Sequence, residues 1–466
     1  MNGPYPFDRL DDAVGEGIEG VIRGHHRRRL QARGHGAAFD PPPGGWARSG
    51  TFGPRQGNAV EVLVDGEEVL PRVAGDILGA SSHVEIAGWH FTPSFRMGDG
   101  GPILRDLLAD AARSVEVRVL AWAGAPLPLF RPGRADVRAM RDELERGTGV
   151  QVRLDANERP MHCHHEKLVV VDDRVAYVSG LDFTLLGGDR RDSSAHRRRE
   201  GIGWHDACVR LEGPVVSDVA EHFRLRWPEP MPPPTAVEAA GDMEAQLVRT
   251  VPERRYRGLP AGEFTILESY LRALRAAERF VYLESQFLWS PELVQVLVDK
   301  LHDPPRPNFR VVVLLPAKPN NGRDDTRGQL GVLVDAATVG GDERRFLACT
   351  LFQPEGHLVY VHAKVGIVDD SWLTVGSANL NEHSLFNDTE VNVVVREPEL
   401  VRSARLRLWS EHLEEDADGD PVQVIDERWR PLASEQSERR KLRLLRGVSR
   451  RSGALMGPLN GLLVDG

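Results

Sequence analysis

Cysteine is nearly missing from this 466-residue chain. Its three cysteines, Cys163, Cys208 and Cys349, are an odd number and build no disulfide framework, so a reducing compartment is the expectation. Long apolar runs are missing as well. No stretch reaches the roughly 18 residues that a membrane-spanning helix needs. Early in the chain, Asp8, Asp11, Asp12, Glu16 and Glu19 stand where a secretory leader would carry its apolar segment. The expected location is therefore cytoplasmic, with at most peripheral contact at the inner membrane face. Positive charge is not in excess: the net charge of −10 speaks against a chain whose main task is gripping nucleic acid. Lysine is the last scarcity. Of 59 basic residues only Lys167, Lys300, Lys318, Lys364 and Lys441 are lysine.

What is present fits a globular protein of two or three domains, 41% hydrophobic and 27% charged. Two of the rare lysines fall in matching places. "HHEKLVVVDD" and "VHAKVGIVDD" both hold His-x-Lys-x-x-x-x-Asp, at His165, Lys167 and Asp172 and again at His362, Lys364 and Asp369, 197 positions apart. In a chain that otherwise uses arginine, two lysines at these spots indicate a need for a compact ammonium rather than a planar fork.

The repeat extends beyond the motifs. At the same shift Trp89 falls on Gln286, Gly180 on Ser377 and Asp182 on Asn379. At a shift of 194, "VEVRVLAW" meets "FRVVVLLP". Apolar runs alternate with helical periodicity in both halves, which predicts a mixed sheet flanked by helices. The fold class expected is α/β, with two homologous lobes packed face to face around one shared active site. The expected boundaries are an N-terminal arm over 1–56, a first lobe over 57–229, a Pro-rich linker over 230–257, a second lobe over 258–415 and a tail over 416–466. Each motif reads as a strand leading into an Asp-Asp hairpin turn. Alternation along a strand would then project His165 with Lys167, and His362 with Lys364, to one side. Asp172 and Asp369 would sit at the far strand end, about 16–17 Å away at the usual rise, in a turn or hydrogen-bonding role.

Two histidines and two lysines around one cleft suit a phosphodiester. Lysines hold the non-bridging oxygens. One histidine attacks phosphorus and the other handles the proton of the leaving group. No metal or cofactor is needed for that scheme. "MHCHHEK" holds His162, Cys163, His164 and His165, but strand alternation keeps them from converging on one ion, so the cluster reads as the rim of an active site. "GHHRRRLQARGH" (24–35) reads as a solvated helix face and "HRRRE" (196–200) as an exposed loop. "SERRKLRLLRGVSRRSG" near the C-terminus reads as a solvated helix able to meet anionic lipid.

The paired motifs, with "GSANLNEHSL", "YLESQFL" and "GWHDACVRLEGPVVSDVAEHFRLRW", resemble the phospholipase D superfamily over nearly all of 60–415. The resemblance implies a covalent phosphohistidine route and phospholipid substrates. It matches His165 and His362 to the catalytic pair, with His165 as the usual attacker, and Lys167 and Lys364 to the phosphate clamp. Ser377 and Asn379 match polar groups that bind phosphate. Glu390 matches the acid that orients the second histidine, and Asp206 is its expected counterpart for the first. The first half has Asp182 where the second has Asn379, which leaves head-group binding and a structural role both open for Asp182. Three activities compete: hydrolysis of a phospholipid to phosphatidic acid and an alcohol, phosphatidyl transfer as in cardiolipin synthases, and a nuclease. The synthases commonly begin with membrane-spanning helices, and none is read here. The expected partners are a phospholipid substrate and an anionic membrane surface. Nucleic acid is not expected, and the chain is expected to be a monomer.

Overall fold

The computed structural model describes residues 6–127, 131–186, 203–317, 325–353, 357–434 and 441–445. Two short β-rich stretches set the plan. "KLVVV" (Lys167–Val171) and "VGIV" (Val365–Val368) are buried throughout, as β-branched runs covered on both faces should be. Each turns back into a second buried strand, Val175–Ser179 and Trp372–Gly376. The turns are twins. Asp172 and Asp173 have φ of 56° and 54°, and Asp369 and Asp370 have φ of 54° and 51°. Arg174 N–H donates to the Val171 carbonyl and Ser371 N–H to that of Val368, closing turns with two left-handed central residues. Asparagine and aspartate tolerate that conformation better than most residues.

The motif aspartates also stitch each hairpin to its neighbour. Asp172 accepts the backbone N–H groups of Ser81, Ser82 and His83, where strand His83–Gly88 begins. Asp369 accepts those of Glu278, Arg279 and Phe280, where strand Phe280–Glu284 begins. The same bond set recurs in both halves.

Strand order repeats as well. One path of hydrogen-bonded neighbours runs, in the first half, from Gln151–Asp155 through Glu116–Trp122, His83–Gly88, Lys167–Val171, Val175–Ser179 and Ala207–Glu212 to Arg55–Val64. The second half mirrors it from Phe346–Leu351 through Arg310–Leu314, Phe280–Glu284, Val365–Val368, Trp372–Gly376 and Glu390–Val395 to Met243–Val251. The halves join where Arg55–Val64 pairs antiparallel with Met243–Val251. They also pack face on face, since Trp372–Gly376 lies against Val175–Ser179 and Ala207–Glu212. A single apolar core spans them, with Val170, Val178 and Val209 from one half and Ile367, Leu373 and Val393 from the other. Separate apolar layers hold the outer helices of each half.

Four expectations are corrected here. The stretch 230–257 is not all linker: 230–242 and 252–257 lack helix and strand, but Met243–Val251 between them is a central strand paired on both edges. A strand with buried "LVRTV" reads poorly when a Pro-rich run precedes it. The stretch 24–35 is not wholly a solvated face: Arg28 and Gln31 stay exposed, but His26 and Leu30 are buried. Helix Pro6–Gln31 lies against the second half: His26 stacks on Phe386 with ring centroids 4.3 Å apart, and Arg29 donates to Asn387 at 2.7 Å. Within the basic tail, Leu442–Leu444 is an edge strand on Phe346–Leu351 rather than part of a helix, and the Arg443 guanidinium covers the Phe352 ring. The motif histidines precede their strands instead of lying on them, because regular pairing starts at Lys167 and Val365. The "HRRRE" segment, and Arg439, Arg440 and the basic residues after Leu445, lie outside the described residues.

Candidate active site

The segments that carry the two histidines cross the seam between the halves. His165 N–H and Glu166 N–H both donate to the carbonyl of Thr389, at 2.9 and 3.0 Å. His362 N–H and Ala363 N–H both donate to the carbonyl of His205, at 2.8 and 3.0 Å. Short parallel pairings reinforce these contacts, between His164 and Thr389 and between Val359–Val361 and Gly203–His205. Thr389 and His205 therefore act through their main-chain oxygens, which no side-chain motif reveals. The available signal was positional: each stands one residue before a carboxylate that matters.

Those carboxylates are exchanged relative to expectation. Glu390 lies 2.9 Å from Nδ1 of His165, and Asp206 lies 2.8 Å from Nδ1 of His362. The sequence reading assigned each acid to the histidine of its own half. The structure reverses both pairings because each acid follows the residue whose carbonyl holds the other half's histidine segment. All four groups are buried. An acceptor at Nδ1 fixes the ring so that Nδ1 carries the proton and Nε2 keeps its lone pair. Both rings are thus prepared alike.

Each acid is itself held. Glu390 accepts the hydroxyls of Ser377 and, at 2.6 Å, Ser384, while Asp206 accepts the Ala207 N–H at 2.9 Å. Ser377, expected to bind phosphate, therefore spends its proton on Glu390. Asn379 donates to Gln286 at 3.3 Å, in a chain that continues from Gln286 to the Tyr360 hydroxyl at 2.9 Å. The ring of Trp204 sits 4.3 Å from that of His362.

The lysines also behave as a pair. Lys167 donates to the carbonyl of His165, and Lys364 to that of His362. Their buried stems keep the ammonium groups close to the histidine backbones. One difference separates the halves: Asp182 lies 3.3 Å from the Lys167 ammonium and accepts the Trp89 N–H at 3.1 Å. Asp182 is thus both a structural anchor and a counter-charge at the clamp. Gly180 shows how closely the halves meet. A Cβ there would stand 2.3 Å from an Asp206 oxygen and 3.2 Å from the Lys364 stem, so only glycine fits.

A second buried network supports the His362 side and was not foreseen. His205 lies between Asp65 at 2.9 Å and Glu284 at 2.8 Å, one from each half. Burial works against its charge, but the two carboxylates outweigh this and hold the imidazolium well above its ordinary range. Glu284 also meets His412 at 3.2 Å, and burial holds that ring down to about 4. Asp65 accepts the Asp206 N–H at 2.8 Å, so this cluster positions the acid behind His362.

Known proteins resemble this chain in sequence and in fold. Residues 270–410 match a family model described as "Cardiolipin synthase, PLD-like domain". Phospholipase D A of Dictyostelium discoideum is 25% identical over 465 residues, covering 78% of this chain and 36% of that protein. Phospholipase D1 of Schizosaccharomyces pombe is 23% identical, covering 75% and 34%. The major cardiolipin synthase ClsA of Bacillus subtilis is 24% identical, covering 72% and 65%. The chain spans only about a third of the two phospholipases. The crystal structure of phosphatidylserine synthase from Haemophilus influenzae shares the fold, with a TM-score of 0.55 at 11% identity over 86% of this chain and 92% of that one. Two motifs on mirrored strands, a family model over 270–410 and relatives aligned across both halves support membership of the phospholipase D superfamily.

Proposed function

We propose that this chain is a phospholipase D-type phosphodiesterase that cleaves a glycerophospholipid to phosphatidic acid and a head-group alcohol. The observation that carries the reading is the crossed set of pairs, His165 with Glu390 and His362 with Asp206. Nε2 of His165 attacks phosphorus as the neutral ring, the bond to the head-group oxygen breaks, and His362, which enters this step as the imidazolium with Nδ1–H on Asp206, gives that oxygen its Nε2 proton. Water then attacks the phosphohistidine while His362 takes its proton, and His165 leaves unchanged. Lys167 and Lys364 neutralise the charge on the non-bridging oxygens. Glu390 and Asp206 stabilise whichever ring is charged at each step. The substrate reaches the site from a membrane surface, at which the protein acts peripherally. Among the described residues no helix is long and apolar enough to cross a membrane.

Transfer to an alcohol uses the same intermediate, and the likeness to a cardiolipin synthase favours including it in the test. The purified protein is incubated with a mixed phospholipid extract, with and without glycerol, and products are identified by mass spectrometry. Phosphatidic acid in both arms supports hydrolysis. A phosphatidyl-alcohol replacing it when glycerol is present assigns transfer. No product from lipid, with cleavage of a nucleic-acid phosphodiester instead, would overturn the proposal.

A further inference from the structure

We propose that His162, His383 and Asp388 form a binding site for one zinc-class divalent ion, set across the seam between the halves and separate from the four motif side chains. His162 belongs to the first half, and His383 and Asp388 to the second. Nδ1 of His162 lies 3.0 Å from Nδ1 of His383 and 3.3 Å from Oδ1 of Asp388. The three ligand atoms all fall within 4.8 Å of one another. Ligands about 2.0–2.1 Å from a tetrahedral zinc stand roughly 3.3 Å apart, so the donors need little movement to close on an ion.

The donor set selects the metal. Two imidazoles and one carboxylate suit zinc and its neighbours, whereas calcium and magnesium require oxygen. Coordination replaces the proton between the two Nδ1 atoms, and each ring then carries its single proton on Nε2. The His162 side chain is 16% exposed, which leaves a fourth position for water.

The ligands sit on a scaffold fixed by the backbone. Asp388 Oδ1 accepts the Cys163 N–H at 2.9 Å. Asn387 N–H and Asp388 N–H both donate to the His383 carbonyl at 2.8 Å, and His162 N–H donates to that of Arg159 at 3.0 Å. The other His-and-carboxylate clusters among the described residues are less suited. His205 already has a carboxylate on each ring nitrogen, and Asp173 beside His83 is taken by Arg224 at 2.6 Å. An ion here would tie the segment leading to His165 to the segment leading to Glu390. It would stiffen that pair and take no part in phosphoryl transfer.

The test uses the full chain, stripped with chelator and titrated with Zn²⁺, Co²⁺ or Ca²⁺ by equilibrium dialysis and thermal melting. The expected result is one Zn²⁺ per chain with a raised Tm, a visible Co²⁺ spectrum of low coordination number, and no competition from Ca²⁺. His383→Asn and Asp388→Asn should each weaken Zn²⁺ binding at least tenfold while the metal-free circular dichroism stays that of the parent. If either variant fails to fold, His162→Gln at the exposed edge supplies the same reading. Absence of stoichiometric Zn²⁺, or binding unchanged in the folded variants, overturns the site. Loss in a His412→Asn control, with His162→Gln unaffected, would place the ion in the other cluster and overturn it equally.

Discussion

Glu390 lies 2.9 Å from His165 although the two residues belong to opposite halves of the chain. Asp206 and His362 repeat the relationship at 2.8 Å in the other direction. Neutralising either acid should therefore disable the histidine of the other half. Glu390→Gln and Asp206→Asn keep size but remove the charge that stabilises the imidazolium. Each is expected to lower kcat by about 10²–10⁴, in the range typical of lost acid–base assistance. The distinguishing measurement is adduct trapping with a substrate whose leaving group needs no proton. Asp206→Asn should still form the adduct at His165, whereas Glu390→Gln should form it slowly. The opposite pattern would make His362 the attacker.

Replacing His165 or His362 by Ala should each abolish turnover, because neither half holds both nucleophile and acid. The residual rate should be below about one hundredth of the parent. In His362→Ala, an activated substrate should leave a base-stable, acid-labile label on His165, located by peptide mapping. A single mutant retaining more than a tenth of the activity would rule out a shared site.

Asp369 accepts three backbone N–H groups in a turn far along the strand from Lys364. Asp369→Ala leaves those donors to solvent and should cost about 2–4 kcal/mol, at roughly 1 kcal/mol or more per bond to a charged group. Denaturant unfolding reads the loss. The kcat/KM of the remaining folded protein should stay within a few-fold of the parent, and a larger fall would give Asp369 a part in catalysis.

His412 and His205 give stability a pH dependence of known sign. Burial holds His412 down to about 4, below its unfolded value, so the unfolded chain takes up that proton first. Its contribution is complete above about pH 6.5 and is lost as pH falls from there toward 4. His205 has the reverse sign. Its raised pKa stabilises the fold fully below about 6.5, and that contribution fades as pH rises through the folded-state value. Tm should decline on both sides of neutrality. His412→Asn should flatten the acidic limb only, and an unchanged acidic limb would refute the assignment.

The reading from sequence carried furthest where a residue type was scarce or a period was strict. Lys167 and Lys364 stood out in an arginine-rich chain. The β-branched runs after them became the buried central strands. Partner choice was less legible. Nothing in "WHDA" or "NDTEV" says which histidine the acid will face, because the answer depends on two main-chain oxygens, those of His205 and Thr389, reaching across the seam. Ser377 was read as a phosphate binder, and its hydroxyl donates to Glu390, an acceptor that only the fold brings near. His26 and Arg29 looked solvated because a charged helix reads as exposed until the surface that covers it is known.

The exchange of carboxylates has the form of an isologous contact, in which one patch meets its own copy about a two-fold axis. A residue of each copy completes the other, as in a symmetric homodimer, but here one chain supplies both copies. Such an arrangement has no working half: a fragment carrying one motif lacks the acid for its histidine. It also frees the copies from identity. In a true dimer every substitution appears twice, whereas this chain holds Asp182 against Asn379 and His205 against Thr389. Fusion therefore lets a symmetric frame present its two sides differently to a phosphodiester, whose two ester oxygens are themselves unlike.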